Sequence, residues 1–166
     1  MATLAGSTLR ILTRTTQVRG APYEGGAMVV VDYTESPPSS TASGGWDIVW
    51  QDTYTIGTSS TQALDFTALA DGPNAETVNV AKVDYMLIQG VSGNTAALHI
   101  KANASNGLLA FTADASDIIK HPAGAGVTVL RGGGYATSGS LKALDLVNPS
   151  GSVTWTGTIT VFGRSA

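Results

Sequence analysis

The sequence predicts an all-β fold: an antiparallel β-sandwich, jelly-roll-like, with an extended N-terminal arm. Three observations carry this. The chain of 166 residues holds 21 Thr and 20 Gly; Thr is β-branched and suits a pleated, half-wet surface, whereas Gly is poor in helix interiors and serves turns. Apolar and polar residues alternate with a period of two near the C-terminus. Strand signals recur roughly every 10–15 residues with turn residues between them, the spacing of a sandwich or jelly roll, and no long segment shows a 3.6 period.

Taken from the N-terminus, Leu9 to Val18 and Ala27 to Tyr33, with its Met-Val-Val-Val run, read as strands. Gly20 to Gly26 lies between them, and Ser36-Pro37-Pro38-Ser39-Ser40-Thr41-Ala42-Ser43-Gly44-Gly45 follows as a linker or exposed loop. Residues 1–50 thus form an arm and loop region, and residues 51–166 the β-sandwich domain. Asp52 to Gly57 and Gln62 to Leu69 are short strand candidates. Glu76 to Gln89 alternates through Val78 and Val80 and resumes at Val83, Tyr85 and Leu87; the phase slips near Ala81-Lys82, which predicts a bulge or a bend where the strand changes sheet.

Ala97 to Lys101 places Leu98 and Ile100 on one face and His99 and Lys101 on the other. Gly126 to Arg131 puts Val127 and Val129 together, and the Gly132-Gly133-Gly134 run is expected to break that strand. Leu141 to Asn148 has Leu144 and Leu146 inward and Asp145 outward, and Asn148-Pro149-Ser150-Gly151 turns the chain. In 152–162, Thr takes every even position from 154 to 160, while Val153, Trp155, Ile159 and Val161 take odd ones. One face is buried and one is wet.

Charged residues are 13% of the chain and the formal net charge is −3. The charges segregate. Arg10, Arg14 and Arg19 stand in the first twenty residues without an acid, and residues 21–81 hold eight acids and no Lys or Arg. A basic arm before an acidic belt reads as a docking device for a copy or partner, or as solvated surface. A sequence pI near 5.1 and the lack of a dense basic patch argue against nucleic acid as a partner. No apolar run is long enough for a membrane helix, and the first ten residues lack the pattern of a signal peptide. The expected product is soluble and made in the cytoplasm.

Catalytic chemistry finds little purchase. There is no Cys, and His99 and His121 are the two histidines, expected as a strand-surface residue and a turn residue before Pro122. A Ser-His-Asp set, a zinc site or a phosphate loop is not assembled from these parts. Asp71-Gly72-Pro73-Asn74 and Asp114-Ala115-Ser116-Asp117 read as turns in which the acids cap their own backbone. The expectation is a non-enzyme with no metal and no cofactor. Trp155 lies on the apolar side of its strand, a core position. Trp46 and Trp50 flank Asp47-Ile48-Val49, share a face, and read as core or interface.

From about Trp50 to Gly163 the chain resembles small β-sandwich virion proteins of tailed bacteriophages, the head decoration (cement) class. The resemblance rests on Asp52-Thr53-Tyr54-Thr55-Ile56, Ala63-Leu64-Asp65-Phe66 and Val78-Asn79-Val80-Ala81-Lys82-Val83. It continues through His121 to Val127, Gly134 to Gly139, Leu144-Asp145-Leu146-Val147-Asn148 and Val161-Phe162-Gly163. The first fifty residues do not share it. It implies a viral structural protein synthesised in the host cytoplasm and located on the capsid surface of the virion. Its implied partners are the major capsid protein and copies of itself in a homotrimer. The interface candidates are Arg10, Arg14, Arg19, Trp46 and Trp50, with the arginines pairing with acids of a neighbour. A tail or head-fibre component, or a carbohydrate-binding β-sandwich module, are the alternatives.

Overall fold

The computed structural model describes residues 9–17, 27–35, 46–71, 76–112 and 114–165. Among these residues there are twelve β-strands and no helix. The chain divides into two compact units, Met1–Gly45 and Trp46–Ala166. In the first, β1 (Leu9–Gln17) and β2 (Ala27–Glu35) form an antiparallel pair with Leu9 opposite Glu35 and Gln17 opposite Ala27. The β-branched run of β2 is what makes it a strand.

The second unit contains ten strands. They are β3 (Ile48–Ile56), β4 (Thr61–Asp65), β5 (Leu69–Asp71), β6 (Glu76–Val78), β7 (Lys82–Gly90), β8 (Leu98–Ala102), β9 (Ile119–His121), β10 (Val127–Ala136), β11 (Ala143–Val147) and β12 (Trp155–Arg164). Two antiparallel sheets have the orders β10-β7-β12-β3 and β4-β11-β8-β9, and β5 and β6 form a small separate pair. The pairings nest: β8 with β9, β7 with β10, β4 with β11 and β3 with β12. The acceptable period-two faces bring both sheets to one buried cluster, in which Trp155, Ile159 and Met86 of the first join Leu144, Leu146 and Ile100 of the second.

β12 shows the reason most plainly. Trp155, Gly157, Ile159, Val161 and Gly163 are buried, while Thr156, Thr158 and Thr160 alternate with them as half-buried residues. Period-two patterning therefore sets which face goes in. β3 lies at an edge of this sheet and carries Asp52 on the same row as Trp50 and Tyr54, opposite Ile159. A charge on the core-side row of an edge strand discourages another strand from adding there.

Several expectations change. Glu76 to Gln89 is two strands in two sheets, because Val80 is fully buried between them and its amide donates to Phe66 O at 2.8 Å. The phase slip near Ala81 marks this change of sheet. The three glycines do not end β10: the strand continues through a register shift between Arg131 and Tyr135. Gly133 and Gly134 have φ of 61° and 79°, a conformation Gly adopts without steric cost. Asp145 points away from Leu144 and Leu146, as its position predicts, yet it is buried. Ala63 and Lys101 flank it in register, and Asn103 Nδ2 donates to Oδ1 at 2.7 Å.

His121 is the larger correction. It is the last residue of β9 and fully buried, not a surface turn residue. β9 is three residues long, too short to declare itself by alternation, so its inward face was hidden in the sequence. Trp46 and Trp50 also separate. Trp50 is in the core cluster, whereas Trp46 precedes β3 and packs on Phe162 and Tyr85, which alternate with the core residues Val161 and Met86. The strand's parity does not extend back to residue 46, because β3 starts at Ile48.

Candidate functional site

The acidic turns and ion pair that most invite chemistry are accounted for by local structure. Asp114 Oδ1 accepts from the Ser116 amide and hydroxyl at 2.8 and 2.7 Å, and Asp117 Oδ2 accepts from the Asp114 amide at 3.0 Å. The Ser116 hydrogen bonds hold the Asp114 carboxyl below its ordinary range. This is a self-capped turn. Burial pushes the Asp65 carboxyl up, but hydrogen bonds from Lys142 and Thr67 outweigh it and hold it below the usual range; Lys142 Nζ sits 2.8 Å from Oδ2. The Asp71 to Asn74 turn extends outside the described residues. No group of three or more His, Cys, Asp or Glu side chains is arranged to hold a metal among the described residues.

The two histidines do not meet in one site. His99 lies on the half-buried face of β8 opposite Lys120, and His121 pairs with Leu98, on the core side. Burial holds the His121 imidazole below its ordinary value, so it is neutral at pH 7. Tyr54 is pushed up to about 12, first by burial and then by the Asp52 carboxylate on the same row. A phenol held this high stays protonated across the ordinary pH range.

Trp46 and Trp50 are 3% and 4% exposed. Trp50 Nε1 donates to Ala70 O at 2.7 Å, pinning β5 to the edge strand β3. Trp46 lies 4.5 Å from Phe162 and 5.8 Å from Tyr85, measured between ring centres. Neither ring offers an open platform. Arg10 and Arg14 occupy register positions opposite Thr34 and Val30 on β1. Arg19 lies outside the described residues.

What remains is the face of the β10-β7-β12-β3 sheet turned from the core. The ladders lay its residues out in rows. One row runs Val129, Leu87, Thr160, Gln51, and the next runs Arg131, Tyr85, Phe162, Val49. Arg131 is the one charge in these rows, and its guanidinium carbon stands 5.9 Å from the Tyr85 ring centre. Val49, Val127 and Val129 are 45%, 47% and 38% exposed. Trp46 covers Tyr85 and Phe162, and the hydroxyls and β-branched side chains that remain can bury area without stripping water from many charges, which suits contact with another protein surface. The sequence marked Val127 and Val129 as one face and the Thr ladder of β12 as another. It could not show that they share a sheet surface, because that depends on β7 lying between them.

Compared with family models, with curated proteins and with solved structures, the chain matches none.

Proposed function

We propose that the chain is a virion structural protein, a decoration (cement) subunit that binds the capsid lattice of a tailed bacteriophage, and that its second unit is a β-sandwich of jelly-roll type. The nested pairing carries the reading. Eight strands pair first with last, second with seventh, third with sixth and fourth with fifth, the pattern of a long hairpin rolled into two four-stranded sheets. Such double-sheet jelly rolls recur in viral capsid and lectin domains. Fold does not fix function, so the surface matters. The low-charge outer face of the β12 sheet supports wide protein contact, and the burial of Trp46 and Trp50 weighs against a stacked sugar platform.

In this reading homotrimers bridge neighbouring capsomers, and Arg10, Arg14 and Arg19 pair with acids of a neighbouring subunit. Many symmetric copies give avidity, so each contact can be modest. The test is mass spectrometry and immunogold microscopy of purified virions carrying the gene. Head labelling at a stoichiometry of many copies per particle is the expected result. Tail or fibre labelling relocates the protein, and absence from the particle overturns the proposal.

A further inference from the structure

We propose that His121 is a proton-operated latch that holds the β9 edge of one sheet to the β10 edge of the other and releases both when it is protonated. The geometry places it where a side-chain hydrogen bond ties these two edges together. β9 ends the β4-β11-β8-β9 sheet and pairs with β8 alone, over three residues. β10 ends the other sheet and pairs with β7 alone. His121 Nδ1 lies 2.8 Å from Thr128 Oγ1 across this seam. The loop 122–126 that joins the two strands is otherwise held by Gly124 N donating to Asn94 O at 2.8 Å and by Gly90 N donating to Gly126 O at 3.1 Å.

The imidazole is fully buried, and its second nitrogen, Nε2, has no hydrogen-bond partner. Its ring stands edge-to-face with Trp155, with centres 5.9 Å apart at 89°. Nε2 faces the backbone of Gly90, where a Cβ would come within 3.0 Å of it and of Asn94 Nδ2, and would also meet Gly124 O. The groups around the ring are thus Trp155 of β12, Thr128 of β10, Leu98 of β8, Gly90 of β7, and Asn94 and Gly124 of the flanking loops. None is titratable. Lys120 and His99, the nearest ionisable residues in the ladder, are partners of each other on the opposite face.

A proton added here creates a cation without a counter-charge, and an N–H without an acceptor. Burial already holds the imidazole below its ordinary 6.5, so the sign is fixed. The open form, with an ordinary histidine, binds more protons than the closed form below pH 6.5. The latch is fully closed above that value and weakens as pH falls, until the closed-state pKa is reached. The opening constant then rises by up to about tenfold per pH unit between that value and the closed-state pKa, a rise read by comparing pH 7.5 with pH 5.

Amide hydrogen exchange by mass spectrometry on the full chain, corrected for the intrinsic pH dependence of exchange, reads this directly. Peptides spanning 119–130 should lose protection on acidification while those of β3 and β12 keep theirs. His121→Gln should flatten the profile, and His99→Gln should leave it as in the wild type. Thr128→Val should raise opening at both pH values without changing the slope. An unchanged pH profile in His121→Gln, or unchanged protection of 119–130 in Thr128→Val, overturns the latch. Should His121→Gln not fold, the wild-type imidazole proton resonances decide. A His121 signal titrating near 6.5 while residues 119–130 stay protected at pH 5 also overturns it.

Discussion

The Asn148 amide, just after β11, shares its two N–H groups among three carbonyls: Val153 O at 2.8 Å, Gly57 O at 3.0 Å and Ile56 O at 3.1 Å. Its Oδ1 accepts from Ser150 N at 3.1 Å. The residue is fully buried, so truncation leaves several polar groups without partners in a site water does not reach. Asn148→Ala is expected to cost about 2–4 kcal/mol, seen as a lower urea midpoint with an unchanged slope. The turn at 148–151 was legible from its Asn-Pro-Ser-Gly composition. The burial of Asn148 was not, because Ile56 stands 92 residues away in the chain. His121 was misread for the same reason: its enclosure comes from Trp155, Leu98 and Gly90, which no local pattern assigns to it. At single positions the sequence showed the backbone role and concealed the neighbours.

Strands were legible in proportion to their length and regularity. β12 alternates over ten residues and declares both its existence and its inward face, whereas β7 declares itself a strand but not its face: the expected alternation through Val83, Tyr85 and Leu87 breaks after Val83, and Met86 and Ile88 turn to the core instead. β5 and β9, three residues each, fall below the length at which a period can be seen. β10 was shortened in the reading because its glycines look like a stop, whereas here they form a bulge. Glycine has a different duty inside β12. A Cβ on Gly157 would meet the Trp155 indole two residues back and lie 2.5 Å from Gln89 O. The missing side chain makes room for the ring that fills the core end of the strand. Gly157→Ala is expected to destabilise by about 2–3 kcal/mol, the cost of overpacking a filled site. Thr158→Ala, on the outer face, should stay within about 0.5 kcal/mol. Chemical denaturation of the two variants side by side checks the contrast.

For the whole molecule, the all-β class was readable from composition and period, but the pairing of strands was not. Alternation says which face of a strand is buried and nothing about which strand lies beside it. The first unit begins and ends within residues 1–45, and the main buried cluster of the second is drawn wholly from residues 50–161. Residues 46–166 expressed alone are therefore expected to fold and to unfold in one cooperative transition, monitored by circular dichroism and Trp fluorescence. Trp46 and Trp50 are both buried within the second unit, so charge reversal at Arg10, Arg14 and Arg19 of the first is the test of the proposed interface.

The nesting of the strand pairs also sets a timetable. Among the described residues, the first long strand of the second unit, β3, ladders with the last, β12, alone. During synthesis β3 leaves the ribosome early and waits, with its backbone groups and the core side of Trp50 uncovered, until residue 164 follows. Contacts this distant in sequence form slowly, and unpaired edges attract other chains while they wait. Completion of the sheet thus waits for β12, and crowding of unfinished copies on a polysome is the moment at which this protein is most exposed to the wrong neighbour.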